Sequence, residues 1–91
     1  MELRWTPSAL RDLDDAGDYL AQDNMSAAAG MGRRVQEAVE YLEKHPALGR
    51  SGRLPATREL VVSGTPFIVV YRVRLDRIQV LRVLHHARKW P

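Results

Sequence analysis

ATRELVVSGTPFIVVYRVRLDRIQVLRVL, residues 56–84, decides the fold. Three segments rich in β-branched residues stand end to end here: ATRELVV, FIVVYRV and IQVLRVL. SGTP separates the first two and RLDR the last two, each short enough to force neighbouring strands to run antiparallel. FIVVYRV is apolar almost throughout, and a strand apolar on both faces belongs in the middle of a sheet. The strands beside it alternate, as strands with one buried face do.

Upstream of this meander, PALGRSGRLP (46–55) reads as a loop, with two Pro, two Gly and a Ser. Before it, Ala28, Met31, Val35, Ala38 and Leu42 recur at the spacing of a buried helical stripe. This predicts a second helix, capped by Asn24 or Ser26 and ending near His45, because Pro46 disfavours helical geometry in the residue before it. Leu10, Leu13, Gly17 and Leu20 give a first helix over about residues 7–22, with Asp12, Asp14, Asp15 and Asp18 largely off the stripe. Thr6-Pro7 is its start signal: the hydroxyl accepts from a free amide, and proline at the first position forfeits no hydrogen bond. MELRW alternates, which makes a first strand with Leu3 and Trp5 on one side. The predicted class is α+β, in the order β-α-α-β-β-β: an N-terminal strand and an antiparallel helical hairpin packed on a small, mainly antiparallel sheet.

A chain of 91 residues can bury one modest core, so residues 1–91 are expected to form a single domain. Cysteine is absent, which excludes disulfides and Cys-based zinc sites and fits a reducing compartment. No apolar run reaches the roughly 20 residues of a membrane span, and MELRWTPS lacks the pattern of a signal peptide. A cytoplasmic protein without membrane attachment is expected. The net charge of +3 hides an asymmetry: residues 1–45 hold five Lys/Arg against nine Asp/Glu, residues 46–91 nine against two. A basic sheet backed by acidic helices follows, whose partner carries negative charge, as nucleic acid or an acidic peptide does.

The chemistry-bearing residues concentrate in that basic half. Arg50, Arg53, Arg58, Arg72, Arg82 and Arg88 form one set, expected to face solvent or a ligand, since arginine makes bidentate contacts to carboxylate or phosphate. The second set is the ending RVLHHARKWP (82–91). A histidine titrating near neutrality can act as general acid or base beside a charge-stabilising arginine. Adjacent strand residues point to opposite faces, so only one of His85 and His86 shares a face with any given arginine. Trp90 is read as an apolar lid folding back on the core. Glu59 is either a base or the salt partner of Arg58. No carboxylate stands at metal-ligand spacing from the histidines, so neither metal nor other cofactor is expected. Gly49 and Gly52 lie outside the context of a phosphate loop, and the serines have no His/Asp pairing.

The segment HPALGRSGRLPATRELVVSGTPFIVVYRV (45–73) and the ending VLHHARKWP resemble the RelE/ParE superfamily of bacterial type II toxin-antitoxin toxins, most closely its ParE-like branch. The likeness covers essentially the whole chain. It implies a growth-inhibiting toxin neutralised in a hetero-oligomer by a cognate, ParD-like antitoxin that crosses the helical hairpin and lies on the sheet. ParE-like members poison DNA gyrase by binding, without catalysis. RelE-like members cut mRNA on the ribosome, and Arg58, Arg72, Arg82 and His85 fall in segments comparable to those where they keep catalytic residues. Lysine is nearly absent from the sheet segments, and no tyrosine follows the last strand, which favours gyrase over the ribosome. Under either target, Arg50, Arg53, Arg58, Arg72, Arg82, His86, Arg88, Lys89 and Trp90 are the expected contacts to target or antitoxin.

Overall fold

Thr6 opens the first helix as its type and position predict. Its Oγ1 accepts from the Ala9 amide at 3.1 Å and donates to the Leu81 carbonyl at 3.0 Å, so one hydroxyl caps the helix and ties it to the last strand. The computed structural model describes residues 1–85. Its elements are β1 (Glu2–Trp5), α1 (Pro7–Ala21), α2 (Met25–Leu42), β2 (Arg50–Ser51), β3 (Arg58–Val61), β4 (Phe67–Arg74) and β5 (Arg77–His85). The five strands form one sheet in the order β1-β5-β4-β3-β2. β1 runs parallel to β5, and every other neighbouring pair is antiparallel.

The α+β class holds, with three local corrections. The stretch 46–55 is not loop throughout, because Arg50 and Ser51 pair with Glu59 and Arg58 as β2. Two residues carry no periodicity, and this strand exists only through its distant partners. The stripe of α1 that meets the core is Ala9, Leu13, Ala16 and Leu20, while Leu10 turns outward, 49% exposed. Both stripes satisfy helical spacing; small Ala9 and Ala16 let α1 approach the sheet closely, which leucine at those points would prevent. Finally, α2 ends at Leu42 rather than near His45, and the amides of Lys44 and His45 donate back to the Tyr41 carbonyl in a tightened last turn. Its cap is Asn24, whose Oδ1 accepts from the Ala27 amide at 3.0 Å.

The core lies between the helical hairpin and one face of the sheet. Met31, Val35, Val39 and Leu42 of α2 and Ala9 of α1 meet Val69 and Tyr71 of β4 and Ile78, Val80 and Val83 of β5, with Leu3 and Trp5 of β1 alongside. Ile68 and Val70 point to the opposite, open face and are also buried, as the unbroken apolar run of β4 requires. A register shift between Val70 and Tyr71 places Leu81 of β5 outside the paired ladder.

Candidate functional site

The register assigns each arginine to a face. Directly opposed residues share a face, so Arg50, Glu59, Val70 and Arg82 form one row across the open face. Arg72 and Gln79 form the next row with Arg4, and Arg74 with Arg77 and Glu2 the one beyond. Arg58 opposes Tyr71 and belongs to the helix-covered face. The expected cationic surface therefore exists without Arg58, and it includes Arg4, Arg74 and Arg77, which the sequence reading left out. The alternation R-V-R over residues 72–74 is the signal for Arg74, masked because RLDR also reads as a turn.

Several of these arginines serve the protein itself. The Arg82 Nε and Nη2 donate to the two Asp12 carboxylate oxygens at 2.7 and 3.0 Å. Asp12 also accepts from the Val83 amide at 3.0 Å, on the edge of β5 left open where β1 stops. The carboxylate, 15% exposed, is thus fully engaged, and its hydrogen bonds hold the Arg82 guanidinium even more firmly protonated than usual. An acidic residue of α1 neutralises a sheet cation that was expected to meet a ligand.

Arg58 donates from Nη1 to the Gly49 carbonyl at 2.8 Å and the Ala47 carbonyl at 3.3 Å. Beside it, the Tyr71 hydroxyl donates to the Pro46 carbonyl and accepts from the Gly49 amide, both at 2.8 Å. Burial pushes the Tyr71 hydroxyl pKa up, partly offset by the Gly49 amide and the Arg58 charge. A Cβ at Gly49 would stand 2.7 Å from the Tyr71 ring, so glycine is required by close approach. Glu59 is not the partner of Arg58, since neighbours on a strand point to opposite faces. Its buried carboxylate accepts from the Arg53 amide at 3.0 Å and pairs with Arg50 at 3.5 Å.

Arg72 donates from Nε to Gln79 at 2.6 Å across the open face. His85 opposes Phe67 on the helix-covered face, ring edge to ring, with centroids 5.6 Å apart. It therefore sits on the other side of the sheet from Arg72, while Arg82, whose guanidinium reaches round the edge of β5 to Asp12, lines the same cleft as His85. A cleft of about 330 Å³ separates it from α1, lined among others by Asp15, Tyr19, Phe67 and Arg82. A second cleft, about 340 Å³, runs between α2 and β3, with Tyr41, Leu48 and Val61 on its walls. His86, Arg88, Lys89 and Trp90 lie outside the described residues. Among the described residues, no three metal-ligating side chains come together, and no helix is long and apolar enough to cross a membrane.

Residues 3–90 match the family described as the ParE toxin of the type II toxin-antitoxin system, parDE. The chain belongs to the ParE toxin family. This ParE-family chain is 44% identical over 89 residues to the putative toxin Y4kP of Sinorhizobium fredii, covering 98% of this chain and 92% of that one. It is 36% identical over 84 residues to toxin RelE2 of Caulobacter vibrioides, covering 92% and 93%. A solved chain from the chromosomal ParDE toxin-antitoxin system of P. aeruginosa superposes with a TM-score of 0.84 at 31% identity, over 93% of this chain and 95% of that one. As a member of the ParE toxin family, it is a toxin of type II toxin-antitoxin systems.

Proposed function

We propose that this ParE-family toxin inhibits growth in the cytoplasm by binding DNA gyrase and arresting it, not by cleaving RNA. What carries the reading is the disposition of the residues a nuclease would use. Arg58 is anchored to loop carbonyls, Arg82 to Asp12, and His85 occupies the face opposite Arg72. Acid-base catalysis needs donor, acceptor and charge stabiliser around one reacting atom within hydrogen-bond reach; of these four groups only Arg82 and His85 line a common cleft, and there Asp12 already occupies the arginine's fork. A toxin that acts by contact needs only a stable surface, which this fold supplies.

Neutralisation by a ParD-like antitoxin belongs to the same proposal. The P. aeruginosa neighbour comes from a ParDE system, and two features here suit an extended, partly ordered peptide. β2 pairs only with Arg58 and Glu59, which leaves Leu60 and Val61 at a sheet edge without a neighbouring strand among the described residues. The apolar cleft beside that edge, walled by Tyr41, Leu48 and Val61, offers pockets for alternate side chains of an added strand. The deciding experiment runs one toxin preparation in a gyrase supercoiling assay and in a reconstituted translation reaction. Gyrase arrest with intact mRNA is expected; codon-specific mRNA cleavage on ribosomes with normal supercoiling would overturn the reading.

A further inference from the structure

Four arginines of the open face, Arg4, Arg72, Arg74 and Arg77, gather at one corner, where β1, β5 and β4 end together. Arg74 opposes Arg77 in the last rung of the β4–β5 ladder, Arg72 stands one row inward, and Arg4 lies across β5 on β1. Arg74 and Arg77 are exposed and form no ion pair with a carboxylate among the described residues. Glu2, which pairs with Arg4, is the sole carboxylate in these rows, and Asp76 lies in the turn. Like charges directly opposite each other on a sheet destabilise it, so an unscreened Arg74–Arg77 pair weakens the fold.

The turn at this corner is strained as well. Leu75 and Asp76 alone connect the strands, and Leu75 has φ 56°, at a turn position that favours glycine. It is also 95% exposed. A bulky apolar residue in left-handed backbone, held in water, loses on both counts.

We propose that this corner is a binding surface for duplex DNA, with Arg72, Arg74, Arg77 and Arg4 on phosphates and Leu75 against the sugar and groove edge. The cations occupy three adjacent strands, about 5 Å apart across a rung and about 7 Å apart along a strand. That is a two-dimensional array, and a duplex presents phosphates in two dimensions at one charge per about 1.7 Å of axis. An extended acidic peptide crosses as a single line and meets one row. Arginine, whose planar fork binds phosphate bidentately, is the cation used throughout. The inference goes beyond the gyrase reading and does not require it, because the test uses DNA without gyrase.

The full-length toxin is titrated into a fluorescein-labelled duplex of about 25 base pairs and binding is followed by anisotropy from about 50 to 200 mM salt. Micromolar binding is expected, with log K falling against log salt at a slope of about −3.6, as four phosphate contacts give. Arg74→Glu/Arg77→Glu should weaken binding at least tenfold and flatten the slope by about two. Arg11→Glu/Arg33→Glu, the same charge change on the helices, should leave the slope unaltered. If the glutamate pair does not fold by circular dichroism, Arg74→Gln/Arg77→Gln replaces it with the same expected direction. Absence of binding at low salt, an unchanged slope in the corner variant, or tighter binding of poly-glutamate or single-stranded RNA than of duplex would each overturn the proposal.

Discussion

The two ends of the open sheet treat arginine in opposite ways. Where β3 and the far half of β5 flank β4, with β2 beyond β3, Arg82 is locked to Asp12, Arg50 pairs with Glu59, and on the other face Arg58 ties down a loop. At the β4–β5 turn, Arg74 and Arg77 face each other without an acid between them. The first end is built to stay closed, the second carries unused charge. Positive charge in a sequence and positive charge available to a partner are different quantities, and the pairing of strands and helices decides the conversion.

The contrast can be broken at its strongest point by Tyr71→Ala, which removes a fully buried ring and its two hydrogen bonds to the 46–49 loop. A loss of about 3–5 kcal/mol in urea unfolding is expected, and a loss under 1 kcal/mol would show that the loop is held elsewhere. Asp12→Ala comes next. It strips partners from Arg82 and from the Val83 amide, for about 2–3 kcal/mol, and a double-mutant cycle with Arg82→Ala should recover a coupling above about 0.5 kcal/mol. At the other end the sign reverses. Leu75→Gly relieves a left-handed leucine and should raise stability by about 1 kcal/mol; a melting temperature that falls instead would disprove the strain. Arg74→Ser should change stability by no more than about 0.5 kcal/mol, in the stabilising direction because it removes a facing like charge.

The alkaline limb of the stability curve isolates the closed end by titration. The folded Tyr71 pKa is raised, so above the ordinary tyrosine value of about 10 the unfolded chain releases a proton that the folded chain still holds. Tyr71's contribution is complete below that pH and declines as pH climbs from the unfolded toward the folded pKa. Tyr71→Phe should flatten the decline seen in pH-dependent unfolding, and an unaltered slope would assign it to other groups.

Local signals gave the elements and failed on their partners. Thr6-Pro7 gave the start of α1 and the Asn24/Ser26 pair the start of α2, with Asn24 the cap in the structure, because capping is chemistry between residues a few positions apart. SGTP, with Gly64 at φ 76°, and the two-residue Leu75-Asp76 turn fixed the meander for the same reason. β2 escaped notice because Arg50 and Ser51 become a strand only against Glu59 and Arg58. Nor does anything near Asp12 announce that it will hold an arginine 70 positions away. The candidate site was legible as a composition of arginines but not as a geometry: which face each one takes depends on register, and register puts His85 on the face opposite Arg72. Arg74 and Arg77 were hidden by treating RLDR as connection when the ladder runs through to its last rung.

The parallel rung between β1 and β5 pairs Glu2 with Arg77 and Trp5 with Val80. Such a pairing has a consequence for synthesis. β1 and the helical hairpin are translated before β5, the strand they must lie beside. A chain that has not yet reached β5 cannot assemble this surface, so the helical hairpin waits for a strand made long after it.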